Sequence, residues 1–253
     1  HILDLRRHQV LMEGAFPREL GRAFRGMESK ANPYNQPARK RMDWAKKLDF
    51  DIPVVGEDIE DASQVDYLFW VGCAGAYDDT AKKTSAAVAE LLHTAGVSFA
   101  VLGSGESCTG DPARRAGNEA LFQMLAEHRI DTLKEAKPQK IVVSCAHCFN
   151  TIAGEYPELG GHFDVVHHTQ LLNRLVRDGL LTPVAPTASA ASTASASEDA
   201  TDEELWEALG VAQAKDFVSG MDGGLGHTED MRVADLLLRQ LALKEHITVV
   251  LVE

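Results

Sequence analysis

Residues 65–103 read VDYLFWVGCAGAYDDTAKKTSAAVAELLHTAGVSFAVLG, and this stretch indicates the fold class. It begins with an apolar run, VDYLFWVGC, of the kind that a buried strand requires. Residues 80–96 follow with helical periodicity, and Gly96 suits the end of that helix because glycine adopts a left-handed backbone at low cost. A second apolar run, VSFAVLG, comes next. The stretch therefore predicts a strand, a helix and a second strand.

The same alternation continues toward the C-terminus. Residues 104–130 predict a helical segment with Pro112 in a first turn, and a further helix is predicted near residues 131–136. The strand KIVVSC, a short helix after the CxxC pair, the strand FDVVHH and the helix TQLLNRLVRDG complete the pattern. Strands that alternate with helices favour a parallel sheet with right-handed crossovers. We therefore expect an α/β, Rossmann-like domain with flanking helices over residues 62–182.

The segments on either side of this domain differ from it in composition. Residues 1–61 predict an N-terminal helical and extended arm, and its basic run, within KANPYNQPARKRMDWAKKL, is typical of a solvated face. Residues 183–200 are rich in alanine, serine and threonine and predict a flexible linker. Residues 201–253 open with the capping-box pattern TDEE and predict a separate, small and mainly helical tail.

Composition and charge narrow the classes of function. The chain has 253 residues, of which 45% are hydrophobic, and 25 basic against 38 acidic residues give a net charge of -13. This charge repels phosphate backbones and anionic headgroups, so we expect no nucleic-acid partner and no direct membrane insertion. No apolar run approaches the roughly 20 residues that cross a bilayer. The expected compartment is the cytoplasm, and a chain that begins with His1 is read as a fragment or a processed protein.

Cysteine content points to a site rather than to a disulfide framework. The chain has only four cysteines: Cys73, Cys108, Cys145 and Cys148. Four thiolates are what a tetrahedral zinc ion or a [4Fe-4S] cubane requires. Each of the long gaps between them, residues 74–107 and 109–144, has about the length of one strand–helix unit. We therefore expect the thiols to converge at the carboxyl edge of the sheet, where open α/β sheets build their binding crevices.

Several neighbours of these cysteines suit a negatively charged sulfur site. Glycine backbone N–H groups can face sulfur, and we select Gly72, Gly75 and Gly110 as cofactor-binding candidates, although glycines also simply turn the chain. Arg114 could offset the charge of a cluster, although exposed helical arginines are common. The nearby histidines fit ordinary polar roles better than ligand roles: His147, His167 and His168.

Four segments in order resemble a known family. They are VGCAGAYD, ESCTGDPARRAGNEALFQMLAEHRIDTL, IVVSCAHCFNTIAGEYPELGG and DVVHHTQLLNRLVRDGLL. Together they resemble the first cysteine-rich (CCG) domain of the heterodisulfide-reductase-like iron–sulfur oxidoreductases, which include glycolate oxidase iron–sulfur subunits. The resemblance covers about residues 1–182. It implies an iron–sulfur oxidoreductase component, with the four cysteines as metal ligands and a donor or acceptor protein, or a flavoprotein subunit, as partner.

The chain also departs from the family pattern. It has Ser107 before Cys108 where many members carry a cysteine pair, so the resemblance implies a cubane with four thiolates rather than a cluster that needs a fifth. The family's ferredoxin-like domain and second CCG domain are absent. If the intact protein has them, this segment is one relay in a longer electron path, in the cytoplasm or on the cytoplasmic face of a membrane complex.

The tail resembles a different family. The stretch ATDEELWEALGVAQAKDFV is similar to a helical segment of ATP-binding-cassette exporter ATPases. No phosphate-binding loop of the form GxxxxGK[ST] occurs, so the sequence does not predict nucleotide hydrolysis.

Two other functions remain open from the residues alone. A thiol–disulfide oxidoreductase could use Cys145 and Cys148 at a strand-to-helix junction, where a helix N-terminus lowers the pKa of a thiol. This alternative leaves Cys73 and Cys108 without a role. A structural zinc scaffold could use all four cysteines, although zinc sites are more often built from two short-range pairs. An iron–sulfur electron carrier accounts for all four cysteines.

Overall fold

The computed structural model describes residues 2–183, and a parallel sheet organises this part of the chain. Its strands are β1 (Tyr67–Trp70), β2 (Phe99–Ala100), β3 (Ile141–Val143) and β4 (Val165–His167). They lie in the order β2-β1-β3-β4, and every neighbouring pair is parallel. The predicted α/β, Rossmann-like fold is therefore confirmed. Most of the predicted linker, and the predicted tail with its resemblance to an exporter ATPase, lie outside the described residues and stay predictions.

Helices connect the strands and precede the sheet. They are α1 (Ile2–Arg7), α2 (Arg18–Lys30), α3 (Gly72–Tyr77), α4 (Asp79–Thr94), α5 (Asp111–Ala116), α6 (Glu119–Ala136), α7 (Ala146–Asn150) and α8 (His168–Arg177). Short π-helical turns extend α1 over His8–Met12 and α7 over Thr151–Glu155. Short 3₁₀ turns occur at Ala38–Lys40, Ala45–Lys47, Ala62–Gln64, Gly103–Gly105 and Tyr156–Leu159.

Both faces of the sheet are covered, which explains why the strands read as continuous apolar runs. On one face, Leu68 and Trp70 of β1 join a buried cluster with residues of α2 and α6. On the other face, Phe69 joins a second cluster with residues of α4 and α8. All four residues of β1 are buried. The strand is therefore the centre of both cores.

Local sequence signals set the helix ends. The Asp78 side chain accepts hydrogen bonds from the backbone N–H groups of Thr80 and Ala81, which caps α4. Gly96 follows the end of α4 with φ +69°, as its position in the sequence predicts. Asn118 caps α6 by accepting from the Leu121 N–H.

One predicted boundary is wrong. The sequence pattern predicts a helix near residues 131–136 that is separate from the preceding helical segment, whereas α6 runs without a break from Glu119 to Ala136. Ile130, Leu133 and Ala136 are all buried on it. The same buried face therefore continues through the expected break and keeps the helix intact.

Candidate metal centre

The four cysteines lie at the carboxyl edge of the sheet. Cys73 is in the first turn of α3, directly after β1, and Cys145 is the N-cap of α7, two residues after β3. These two strands are neighbours, with Trp70 of β1 opposite Val143 of β3. Cys108 lies in the loop between β2 and α5, and Cys148 lies within α7. The fold thus places each cysteine after a strand, because parallel strands present their carboxyl ends at one edge.

The thiols form two interacting pairs. The neighbouring Cys108 side chain lowers the pKa of Cys73, and the Cys73 side chain together with burial raises the pKa of Cys108. Likewise, the Cys148 side chain lowers the pKa of Cys145 to about 6, and the Cys145 side chain together with burial raises the pKa of Cys148. The backbone N–H groups of Cys148 and His147 at the start of α7 lower the Cys145 pKa further.

The two pairs are close enough to interact electrostatically. Negative charge on Cys73 and on Cys108 raises the pKa of Cys148, in addition to the effect of Cys145. Among residues 2–183, no three cysteine, histidine or acidic side chains are placed around a common point that would suit a single metal ion. The arrangement is one of two neighbouring thiol pairs, all free of disulfides.

The backbone at Gly72, next to Cys73, lies close to the CxxC pair. A Cβ atom at this position would lie 3.3 Å from the Cys148 Sγ and 3.7 Å from the Cys145 Cβ. Its φ is +75°, a conformation that side chains rarely adopt. The backbone beside Cys73 can therefore approach the CxxC pair closely. Four cysteine sulfurs at one edge of the sheet fit the donor set of an iron–sulfur cluster.

A buried ion pair, which the sequence pattern does not reveal, adjoins Cys73. The side chains of Arg41 and Glu106 are each 3% exposed, and Arg41 Nη1 lies 2.7 Å from Glu106 Oε1. Arg41 Nη2 donates to the Cys73 Sγ at 3.1 Å. Glu106 also accepts from the backbone N–H groups of Val71 at 2.9 Å and Gly72 at 2.8 Å. Burial raises the pKa of Glu106, and the charge of Arg41 opposes this rise.

The basic run of the N-terminal arm is therefore only partly solvated. Arg39 and Lys40 are exposed as predicted, but the interpretation of the whole run as a solvated face is wrong for Arg41. One feature of the sequence could have predicted this ion pair. Glu106 is a carboxylate between two buried segments, and a buried carboxylate requires a cation. Nothing in the sequence indicates which of the basic residues supplies it.

The N-terminal arm also covers Cys108. The Cys108 backbone N–H donates to the carbonyl of Ala31 at 2.8 Å, and its sulfur lies 3.8 Å from the Met27 sulfur. Cys108 is 4% exposed. Asn32 is fully buried, and its side-chain amide bonds to backbone groups on both sides of it, which fixes this turn of the arm. Residues 27–41 thus form a wall of the thiol site.

The glycine candidates occupy three different environments. The Gly110 N–H donates to the Cys108 Sγ at 3.4 Å, and its φ is +92°. The Gly72 N–H donates to Glu106 rather than to sulfur. Gly75 lies in α3 where a Cβ atom would come within 2.5 Å of the Ser85 Oγ, so it allows α3 and α4 to pack closely. Direct backbone donation to a cysteine sulfur is thus seen at Gly110.

Arg114 lies among carboxylates and an aromatic ring. Its guanidinium pairs with Glu155 at 3.1 Å and Glu158 at 3.2 Å, and it stacks over the Phe122 ring at 4.6 Å from the centroid. These contacts join α5 to the segment that follows α7. A role for Arg114 toward a cofactor stays a prediction.

The histidines near the site have protein partners. His147, between the cysteines of the CxxC pair, places Nδ1 at 3.3 Å from the buried carboxylate of Asp111. The rings of His167 and His168 contact each other with centroids 4.4 Å apart. Burial lowers the pKa of His168 to about 4, so the ring is neutral near pH 7.

The described residues thus form a cysteine-rich α/β domain, with four free thiols at the carboxyl edge of a parallel sheet. Residues 67–153 match the model of the CCG family, which is described as a cysteine-rich domain. The CCG domain expected from the sequence is thus confirmed over residues 67–153, and relatives of this part of the chain include a probable iron–sulfur-binding oxidoreductase and a heterodisulfide reductase component.

Curated relatives share this part of the chain. The chain is 41% identical over 186 residues to the probable iron-sulfur-binding oxidoreductase FadF of Bacillus subtilis, and 37% identical over 185 residues to the EtfAB:quinone oxidoreductase of Syntrophomonas wolfei. Each match covers 73% of this chain and 26% of the relative. A dihydromethanophenazine:CoB–CoM heterodisulfide reductase component of Methanosarcina barkeri is 28% identical over 171 residues, covering 65% of this chain and 37% of that component.

The chain spans about a quarter of the length of the first two of these relatives. No solved structure matches it at a significant level. Within residues 2–183, no helix has the length and the apolar character that crossing a membrane demands.

Proposed function

We propose that this chain is the iron–sulfur electron-transfer component of an oxidoreductase, with Cys73, Cys108, Cys145 and Cys148 as the ligands of a [4Fe-4S] cluster. The observation that supports the proposal is that all four cysteines lie at the carboxyl edge of one parallel sheet, with the Gly72 backbone beside Cys73 close to the Cys148 sulfur. A site of this kind uses every cysteine of the chain.

The chain's own residues prepare this site in three ways. The pKa values of Cys73 and Cys145 are lowered by the partner cysteine of each pair and, at Cys145, by the backbone N–H groups at the start of α7. This favours thiolates, the form that binds iron. The arm over Cys108 excludes water from one side. Arg41 supplies a positive charge and an N–H donor to Cys73. When bound, an iron–sulfur cluster takes up and releases single electrons.

Partners and location follow from this role. We propose that the donor or acceptor is a protein, either a flavoprotein subunit or another electron carrier, because the site is mostly buried and single electrons need no substrate pocket. The net charge of -13 argues against a nucleic-acid partner. We propose a cytoplasmic location, because four free thiols persist in a reducing environment.

One observation supports a second function, thiol–disulfide exchange at the CxxC pair. Cys145 is partly exposed with a pKa of about 6, and Cys148 is buried beside it. The Cys145 thiolate would attack a substrate disulfide and release one thiol. Cys148 would then displace the second substrate thiol and close a Cys145–Cys148 disulfide, so that two electrons pass to the substrate. This function does not use Cys73 or Cys108.

The two functions are separated by cysteine variants of the full chain, purified anaerobically and supplied with iron and sulfide. We expect the wild type to absorb broadly at roughly 400 nm, from thiolate-to-iron charge transfer, and to bleach on reduction. Cys108→Ser should lose this absorption, because the chain has no spare cysteine. Ala113→Ser is the matched control, since it adds a hydroxyl at a fully buried position of α5 and retains all four thiols.

Disulfide exchange gives the opposite pattern. If Cys108→Ser reduces a small aromatic disulfide at the wild-type rate while Cys145→Ser does not, and the wild type stays colourless, the second function replaces the first. A colourless wild type that binds one zinc ion and shows no exchange activity would instead indicate a structural scaffold.

A further inference from the structure

We infer that Arg41 and Glu106 form a positioning pair that raises the reduction potential of the group held at Cys73. This inference rests on the proposed iron–sulfur function and deepens it. It concerns a cation from the N-terminal arm and a carboxylate from the loop before Cys108, 65 positions apart in sequence. Neither residue belongs to the set of metal ligands proposed above.

The geometry of the pair fixes the position of Arg41. Its Nη1 donates to Glu106 Oε1 at 2.7 Å, while its Nη2 donates to the Cys73 Sγ at 3.1 Å. The guanidinium also lies over the Tyr77 ring, 5.3 Å from the centroid. A planar guanidinium can serve a carboxylate, a sulfur and a ring at once, whereas an ammonium group cannot. The donor to Cys73 is therefore held in place before any cofactor binds.

Glu106 in turn is fixed by the backbone that leads to Cys73. Its two carboxylate oxygens accept from the N–H groups of Val71 and Gly72, the two residues immediately before that cysteine. Glu106 thus ties the end of β1 and the Cys73 turn to the same arginine. Without Glu106, Arg41 would be a buried and uncompensated cation, which is costly.

The direction of the shift in reduction potential depends on which charge, that of Arg41 or that of Glu106, is nearer to the Cys73 sulfur. Reduction adds one electron and one negative charge at the site, and no bond forms or breaks. Arg41 donates directly to the Cys73 sulfur, whereas Glu106 bonds to the other arm of the guanidinium. A positive group and a hydrogen bond at a ligand sulfur favour the reduced, more negative state.

The test is the midpoint potential of the reconstituted full chain, measured by dithionite titration in four variants and the wild type. Arg41→Gln should lower the equilibrium constant for one-electron reduction by about tenfold, which equals a shift of about 59 mV. Glu106→Gln should shift the potential upward, because it removes the opposing negative charge. Arg41→Lys should shift it downward by less than Arg41→Gln. Lys40→Gln, the same loss of charge at an exposed neighbour, should leave it unchanged.

Shifts of the midpoint potential in opposite directions for Arg41→Gln and Glu106→Gln distinguish this role from a structural one. If the pair merely supported the fold, both substitutions would loosen the same site and move the potential in the same direction. If the two substitutions shift the potential in the same direction, or by no more than Lys40→Gln does, the inference is overturned. The proposed function is unaffected by that result. A wild-type chain that holds no cluster would overturn both. If Arg41→Gln does not fold, as circular dichroism would show, the opposite signs of Arg41→Lys and Glu106→Gln decide.

Discussion

Replacing Gly72 by alanine tests whether the close approach of this backbone to the Cys148 sulfur matters. The new Cβ atom would lie 3.3 Å from the Cys148 Sγ, which is closer than most Cβ contacts, so the sulfur must move by a few tenths of an ångström. The φ of +75° adds backbone strain. We therefore expect two separate effects, a loss of stability from the backbone and a loss of iron from the displaced sulfur.

Gly96→Ala is the matched control for the backbone effect. Gly96 has a φ of +69°, and a Cβ atom there would have no heavy atom within 4 Å. A non-glycine residue in the left-handed region costs about 1–2 kcal/mol, which applies to both variants. For a domain of this size, that cost lowers the thermal unfolding midpoint by about 2–8 °C. Both variants should show this shift in the metal-free chain, followed by circular dichroism.

Iron content then separates the two glycines. After reconstitution, Gly72→Ala should retain less iron than Gly96→Ala, because only Gly72 adjoins a cysteine sulfur. Inductively coupled plasma measurement of iron per chain provides the comparison. If the two variants lose stability equally and also bind iron equally, Cys148 is not a ligand that faces Gly72, and the assignment of the site between the two thiol pairs is wrong.

Two further predictions concern a helix cap and a thiol. Asp78→Ala removes the side chain that caps α4, so the free energy of unfolding from urea titration should fall by about 1 kcal/mol; an unchanged value would contradict the capping role. In the metal-free chain, alkylation of Cys145 should reach half its maximal rate near its pKa of about 6. A half-maximal rate near the ordinary thiol value of 9.0 would contradict the lowering of this pKa by the Cys148 side chain and the backbone N–H groups of α7. Because this pKa is depressed on folding, Cys145 should add stability as the pH rises from about 6 to about 9, and that contribution is lost as the pH falls through about 6.

The parallel sheet could be predicted because each strand is a short apolar run between helices. In β1 every side chain is buried, so the run has no polar interruption to confuse its assignment. The placement of Cys73 and Cys145 after strands followed from the same pattern, whereas the strand order that makes β1 and β3 neighbours did not. The local sequence was sufficient to predict these strands and helices, because the residues that determine each element lie within it or a few positions from it.

The surroundings of the sulfurs could not be predicted in the same way. Arg41 reaches Glu106 across 65 positions, and its selection over Arg39 or Lys40 depends on the path of the arm across the sheet edge. Similarly, the Gly72 N–H donates to Glu106 instead of facing a sulfur, a matter of orientation that residue type does not encode. The path of the arm in the tertiary structure decides which basic residue meets Glu106, and the orientation of the Gly72 N–H decides its acceptor.

The continuity of α6 shows the same limit at a smaller scale. The sequence pattern predicts a division of the helix before residue 131, but Leu133 and Ala136 are buried against the core and extend the apolar face. Packing against the sheet stabilises a helix beyond the point at which its local pattern suggests an end.

The decisive measurement for the four-cysteine cluster is the content of iron, acid-labile sulfide and zinc in the full chain purified anaerobically, without added metal. A cubane held by Cys73, Cys108, Cys145 and Cys148 predicts about four iron and about four sulfide ions per chain, with an electron paramagnetic resonance signal after dithionite reduction. One zinc ion per chain, with no sulfide and no signal on reduction, would contradict it.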